Sequence, residues 1–461
     1  CISNQSFIFR TMTTQPASGQ LSPRLRFIAI IAMFFLFAMI SFVTNLAAPI
    51  GTIWGYQHEG NSFLGMMGNM MNFLAYLFMG VPAGNLLQKI GYKKTALCAM
   101  AIGAAGLFIQ WTSSIDDNFI IYLTGAFVCG LSVCMLNTVV NPMLNYLGNG
   151  GNRGNQLIQT GGAINSLSGT LTPFFVGVLV GELTKETTIK AVTPLLWIAI
   201  GVFIASFIII SFIAIPEPNL NKNRERKSKL PHSALSFRHT VLGLIGIFFY
   251  VGIEVGIPGT LNFYLSDQGQ GGAGVIGAAS TIAGAIVALY WLLMLCGRTL
   301  SSFISGKVSS RTQLMAVSAV AIVLVILAIC TPVSVTLPVP PQIYSTINPA
   351  TGEVLTAMIP VSAYLLVLCG LCTSVMWGNI FNLAVEGLGK YTDQASGFFM
   401  TMVVGGGLIP LAQQLIAKSV GYMASYWLIA ICLGYLLFYG ISGSKNVNTD
   451  IPTDNSELNA L

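Results

Sequence analysis

Apolar residues run along this chain in blocks of about twenty or more, the length that crosses ~30 Å of hydrocarbon at 1.5 Å per residue. The blocks fall at 27–54, 64–88, 95–112, 119–147, 155–181, 192–215, 239–266, 274–300, 312–332, 357–385, 395–418 and 422–441. Each predicts a membrane-spanning helix, because a backbone in hydrocarbon must satisfy its polar groups within its own segment. The intervening segments are short, with two exceptions. Residues 216–238 carry Lys222, Arg224, Arg226, Lys227, Lys229 and Arg238, and divide the blocks into six and six. Residues 332–356 are proline-rich and contain an Asn-Pro-Ala-Thr-Gly turn, which excludes a helix and predicts either a small hairpin lid or a plain long loop.

The pattern therefore predicts an all-α membrane protein with twelve transmembrane helices in two six-helix pseudo-symmetric halves. The halves are 24–215 and 239–441, joined by the linker 216–238 and flanked by disordered tails at 1–23 and 442–461. They also resemble each other in detail. Asn141-Pro-Met-Leu-Asn-Tyr-Leu-Gly148 parallels Asn382-Leu-Ala-Val-Glu-Gly-Leu-Gly389 six spans later, and Gly169 with Pro173 parallels Gly406 with Pro410. An offset of six spans preserves orientation, the parallel repeat of a 6+6 transporter.

Composition sharpens this. Only 8% of the 461 residues are charged, against roughly 25% in soluble domains, too few to cover a water-soluble fold of this size. The 49 glycines suit transmembrane helices. With the N-terminus inside, 18 of the 21 Lys and Arg are cytoplasmic, Arg298 at the end of the eighth block among them. Both termini are accordingly expected in the cytoplasm, with the chain in a bacterial inner membrane. Met12 opens a plausible start, so residues 1–11 read as foreign to the native chain. Eight of nine cysteines fall in apolar runs and read as buried small hydrophobes. Cys369 and Cys372 have zinc-like spacing without a partner cluster, so no metal and no cofactor is expected. His58, His232 and His239 lie outside the spans or at their ends, and neither a nucleophile–base pair nor a Gly-x4-Gly-Lys-Ser/Thr loop is present. The expectation is a monomer that is not an enzyme, not an ATP-driven pump and not a nucleic-acid binder.

Between the second and third spans, Gly84-Asn-Leu-Leu-Gln-Lys-Ile-Gly91-Tyr-Lys-Lys94 resembles the loop signature of the major facilitator superfamily, with Gln88 in place of the usual acid. A narrower resemblance rests on Asn137-Thr-Val-Val-Asn-Pro142, Leu147-Gly148, Gln159-Thr160 and Tyr250-Val-Gly-Ile-Glu-Val255. Gly378-Asn-Ile-Phe-Asn-Leu-Ala, Leu388-Gly389 and Gly405-Gly-Gly-Leu-Ile-Pro410 extend it. These stretches look like the fucose permease and glucose/galactose permease family. The resemblance implies a central sugar cavity, alternating access by rocking of the halves, ion-coupled uptake, and a sugar-contacting role for Gln159. The family's two proton-linked carboxylates match Asn45 and Asn137 here, and asparagine does not titrate.

A neutral sugar is a ring of hydroxyls, each donor and acceptor, around apolar C–H faces. Amide side chains suit the hydroxyls and aromatic rings suit the faces. The candidate substrate-binding residues follow: Asn45, Asn69, Asn72, Tyr76, Asn137, Asn141, Gln159, Asn165, Glu254, Asn262, Trp377, Asn379 and Asn382. Such amides also serve as glue between helices, for roughly 0.6 kcal/mol per bond. Glu254 differs in kind, because it is the one carboxylate of fifteen inside a predicted span and no basic residue is expected at its depth. It is the candidate for ion coupling, as a proton site or a sodium ligand. The expected function is import of a neutral monosaccharide, hexose or deoxyhexose, by alternating access with H+ or Na+. The alternatives are an uncoupled facilitator, a symporter for an amino sugar or other small polar metabolite, and a non-transporting nutrient sensor.

Overall fold

The computed structural model describes residues 22–57, 62–180, 188–217, 232–267, 271–275, 279–341, 345–347, 354–448, 450–451 and 453. Of the expected tails, 1–21 and 454–461 lie outside the described residues, as do 218–231 of the linker and 342–344 and 348–353 of the long loop. The first half comprises α1 (Pro23–Gln57), α2 (Ser62–Asp116), α3 (Phe119–Leu147), α4 (Gly151–Val180) and α5 (Thr193–Phe212). The second comprises α6 (Arg238–Ser266), α7 (Ala279–Ile304), α8 (Ser310–Cys330), α9 (Val361–Thr373), α10 (Met376–Ala384), α11 (Thr392–Thr401), α12 (Gly405–Val420) and α13 (Tyr422–Phe438).

Among the described residues, ten helical stretches are long and apolar enough to cross a membrane by length and composition. One, Met67–Asp116, spans 50 residues with a break at Gly91, and α4 is a further helix of 30 residues. Dividing the first and adding the second recovers the twelve crossings of the hydrophobic pattern. Large apolar side chains stand on the outer surface: Phe212, Ile120 and Ile431 are 78%, 73% and 69% exposed. Large apolar side chains spread that widely suit a lipid surround rather than water.

Gly91 separates the two spans inside α2, with φ 83° and ψ 177°. Only glycine reaches that conformation cheaply. A Cβ there would also strike the carboxylate of Glu217. That carboxylate accepts the backbone N–H groups of Tyr92 (2.7 Å) and Lys93 (2.9 Å), the orphan donors of the helix that restarts after Gly91. Lys93 Nζ donates to the Ser211 carbonyl at the end of α5 (2.8 Å). The start of the linker is thus tied to the second–third span loop. Burial pushes the Glu217 carboxyl above its usual range, against the pull of the two backbone donors. Glu217→Gln keeps the shape but loses the charged cap, which should cost ~1 kcal/mol. In detergent this is a melting temperature lower by about 1–2 °C for a protein of this size; an unchanged melting temperature would show that the cap contributes nothing.

The long loop contains a hairpin, as one of the two expected forms had it. Strands β1 (Thr336–Pro338) and β4 (Met358–Pro360) pair antiparallel, with Leu337 opposite Ile359, and β2 (Thr346–Ile347) pairs with β3 (Val354–Leu355) inside them. The Tyr364 hydroxyl, in the first turns of α9, donates to the Pro338 carbonyl at 2.9 Å. The bundle therefore has a hairpin end and, opposite it, a loop end marked by Gly91.

Candidate substrate-binding site

Two interior prolines and one broken helix prepare the middle of the bundle. Pro258 in α6 removes the N–H that would bond to the Glu254 carbonyl four residues earlier. The Tyr290 hydroxyl from α7 covers that carbonyl at 3.4 Å and is shared with Thr373 Oγ1 at 2.9 Å. Pro142 in α3 likewise frees the Thr138 carbonyl, and Ser396 Oγ of the opposite half donates to it at 3.2 Å. The tenth span is interrupted between α9 and α10 at Ser374 and Val375. Irregular backbone is tolerated at membrane depth only where protein groups or a cavity satisfy it. Here Gln159 Nε2 donates to the Val375 carbonyl (2.8 Å) and Arg298 Nε to the Ser374 carbonyl (3.4 Å).

Arg298 is the residue that sequence reasoning misplaced. No basic group was expected at the depth of Glu254, yet Arg298 Nη2 lies 2.8 Å from Glu254 Oε1. Their side chains are only 13% and 16% exposed. Arg298 stands two positions from the end of its predicted span, where basic residues ordinarily lean toward the headgroups. Instead its long side chain turns inward along α4, where a Cβ on Gly162 would come 3.6 Å from Arg298 Cδ. Its Nη1 donates to Ser166 Oγ of the first half at 2.6 Å. One guanidinium thus neutralises Glu254, caps a broken helix and touches the opposite half.

Aromatic residues complete the centre. Trp377 follows directly on the break and donates its Nε1 to Asn141 Oδ1 at 3.1 Å. Its ring meets Phe399 at 5.5 Å and Tyr250 at 6.2 Å, both edge-on. Tyr250, one turn before Glu254 on α6, is fully buried, and its hydroxyl makes no short hydrogen bond among the described residues. An acid, a guanidinium, an amide, a phenol and an indole therefore converge from α3, α6, α7 and α10.

The remaining candidates fall into other groups. Gln159, Asn379 and Asn382 bind the halves together, Gln159 at the break in the tenth span and the two asparagines toward the loop end. Asn379 Oδ1 accepts from Asn155 (2.8 Å), and Asn382 Oδ1 accepts from Asn145 (2.7 Å) while its Nδ2 donates to Ser310 (2.8 Å). The Tyr92 hydroxyl adds a bond to Asp393 Oδ1 at 2.6 Å, and Asp393 is a second buried carboxylate at the start of α11. Asn137 Nδ2 donates to Tyr76 Oη (2.9 Å) and the Val133 carbonyl (3.1 Å). Asn45 Nδ2 bonds the Ser41 carbonyl (2.8 Å), and Asn165 Nδ2 the Phe37 carbonyl (3.1 Å). Asn72 lines a small cavity of the first half with Thr44, Gln110 and Tyr122. Asn69 is exposed, and Asn262 is half-buried two turns beyond Glu254.

Residues 29–411 match the family model of the Major Facilitator Superfamily. The chain is 30% identical over 424 residues to a glucose/galactose transporter of Brucella abortus, covering 91% of this chain and 94% of that one. It is 26% identical to a putative glucose/galactose transporter of Helicobacter pylori, covering 90% and 95%. It is 21% identical to the L-fucose-proton symporter of Escherichia coli, covering 90% and 92%. Among solved structures, the facilitator FucP in its outward conformation superposes with a TM-score of 0.73 at 18% identity, covering 92% of this chain and all of that one.

Proposed function

The chain belongs to the major facilitator superfamily, in its fucose and glucose/galactose permease family, and from that premise we propose that it imports a neutral hexose or deoxyhexose by ion-coupled alternating access. The observation that carries this reading is the Glu254–Arg298 pair beside Trp377 and Asn141. A sugar hydroxyl both donates and accepts, so it can give a hydrogen bond to Glu254 and take one from Arg298. Tyr250 and Asn141 offer further hydroxyl and amide partners, and the indole of Trp377 suits a C–H face. The pair sums to zero charge. An unpaired charge at this depth would cost at least ~2.5 kcal/mol. A neutral site favours a neutral ligand, and Arg298 stands against a cationic amino sugar.

The coupling ion in this reading is the proton. The E. coli relative is named an L-fucose-proton symporter. Arg298 already occupies the carboxylate to which a sodium ion would bind. Protonating Glu254 would leave the charged Arg298 facing an uncharged carboxyl, which weakens their attraction and loosens a group that also touches the first half. Three hydrogen bonds between the halves lie toward the loop end, consistent with a state closed there and reached from the hairpin end. Positive residues flank the loop end, which we place in the cytoplasm of a bacterium, with both termini.

The test is uptake of labelled D-glucose, D-galactose and L-fucose into proteoliposomes under imposed proton or sodium gradients. Glu254→Gln should lose accumulation above equilibrium while retaining exchange down a gradient. Full concentrative uptake by that variant would remove Glu254 from coupling. A wild-type carrier that equilibrates sugar but never concentrates it would make the protein a facilitator, and one that moves none would leave a sensor.

A further inference from the structure

We propose that the Ser166 hydroxyl is a built-in stand-in for a sugar hydroxyl, holding Arg298 until substrate displaces it; this rests on the substrate site described above. Three observations point to it. Arg298 belongs to α7 of the second half, yet its Nη1 reaches across the bundle to Ser166 Oγ on α4 of the first half at 2.6 Å. The acceptor is an aliphatic alcohol, the same functional group a sugar presents. And α4 is shaped for the arginine: Gly162, one turn before Ser166, leaves room for the side chain, with Arg298 Cδ 3.6 Å from where a Cβ would stand.

The chemistry of exchange follows from the donors. Nη2 of Arg298 is held by Glu254 and Nε by the Ser374 carbonyl, and Nη1 is the arm that reaches Ser166. Leaving a buried charged donor unpaired is expensive. A lone alcohol solves this in the empty carrier, because a sugar hydroxyl can replace it like for like with no donor stranded on the way. The cost falls on affinity. Sugar must compete with Ser166, so only the fraction of carriers with a released Nη1 binds at once, and apparent affinity is reduced by that fraction. The contact also ties the halves together at mid-height in the empty state. It therefore belongs to the return of the empty carrier and is absent from the loaded one.

The experiment combines equilibrium binding of labelled D-glucose, D-galactose and L-fucose with two transport assays, net uptake and sugar-for-sugar exchange. Ser166→Ala should bind its sugar roughly threefold to tenfold more tightly, one charge-assisted hydrogen bond having been removed from the competitor. Exchange, in which carriers cross loaded in both directions, should keep its rate, whereas net uptake should change because the empty return is altered. Ser166→Thr restores the hydroxyl and should restore wild-type affinity. Arg298→Lys and Glu254→Gln are measured alongside. If both bind sugar as the wild type does, or the wild type binds none of the three, the site reading falls and the stand-in falls with it. If they bind weakly while Ser166→Ala is unchanged or weaker than wild type, the site stands and the stand-in alone is overturned. A purely structural Ser166 would lower binding, exchange and net uptake together, which also overturns it.

Discussion

Arg298→Gln should abolish sugar accumulation and leave the protein much less stable than any single change among the candidate amides. Removing one partner of a buried ion pair strands the other, which typically costs 3–5 kcal/mol. At this position the loss is compounded, because the same guanidinium caps the broken backbone at Ser374 and bonds Ser166. Sugar affinity should fall roughly tenfold to a hundredfold from the loss of a charged donor. The cause can be separated from simple misfolding. Arg298→Gln combined with Glu254→Gln removes both charges and should recover most of the thermal stability while transport stays lost. Detergent melting curves and uptake by the two variants read this directly. If the single variant melts with the wild type, Glu254 is not held by Arg298 in the membrane-embedded protein.

Gly84→Val should prevent the loop end from closing. Gly80 and Gly84 of α2 meet Gly397 and Thr401 of α11 backbone to backbone, and a Cβ at Gly84 would come 2.8 Å from Gly397 Cα. Neither chain can give way there, because the contact is main chain against main chain. Overpacking of this kind costs ~1–3 kcal/mol. The cost falls only on the state in which the halves meet at that end. The carrier should therefore shift toward opening there by roughly fivefold to more than a hundredfold, with transport falling accordingly. Ser396, fully buried against the Thr138 carbonyl in the same contact, reports the change. A cysteine introduced by Ser396→Cys should be alkylated slowly in the parent and rapidly beside Gly84→Val. Equal rates would mean that these glycines do not control closure.

Much of the architecture was legible in the sequence because the bilayer writes it there. Twelve apolar blocks and the central basic stretch follow from length and charge. The site was legible only in part. Trp377, Asn141 and Glu254 were named from residue type, and they do converge. Arg298 was not, because a residue two positions from a span end ordinarily turns outward. Which way an arginine turns depends on the neighbouring helix, here the gap at Gly162. Ser166 and Tyr250 were missed for a related reason, since single hydroxyls are common in spans and carry no periodic signal. Gln159, Asn379 and Asn382 were named as sugar contacts and bond one half to the other in this structure. Amides that grip a sugar and amides that grip another helix are chemically the same, and only their placement in space separates them.

The neutral pair has an electrical consequence. A full charge crossing the membrane exchanges about 2.3 kcal/mol with each 100 mV of potential. In the proposed cycle Glu254 and Arg298 would travel together on the second half and cancel, so the empty carrier would move almost no charge through the field as it resets. A proton riding on Glu254 would upset that balance, since the loaded carrier then holds one unit of positive charge. The membrane potential would pull on the carrier only in its loaded direction, and resting voltage would act as a one-way bias on a protein whose return stroke does not feel it.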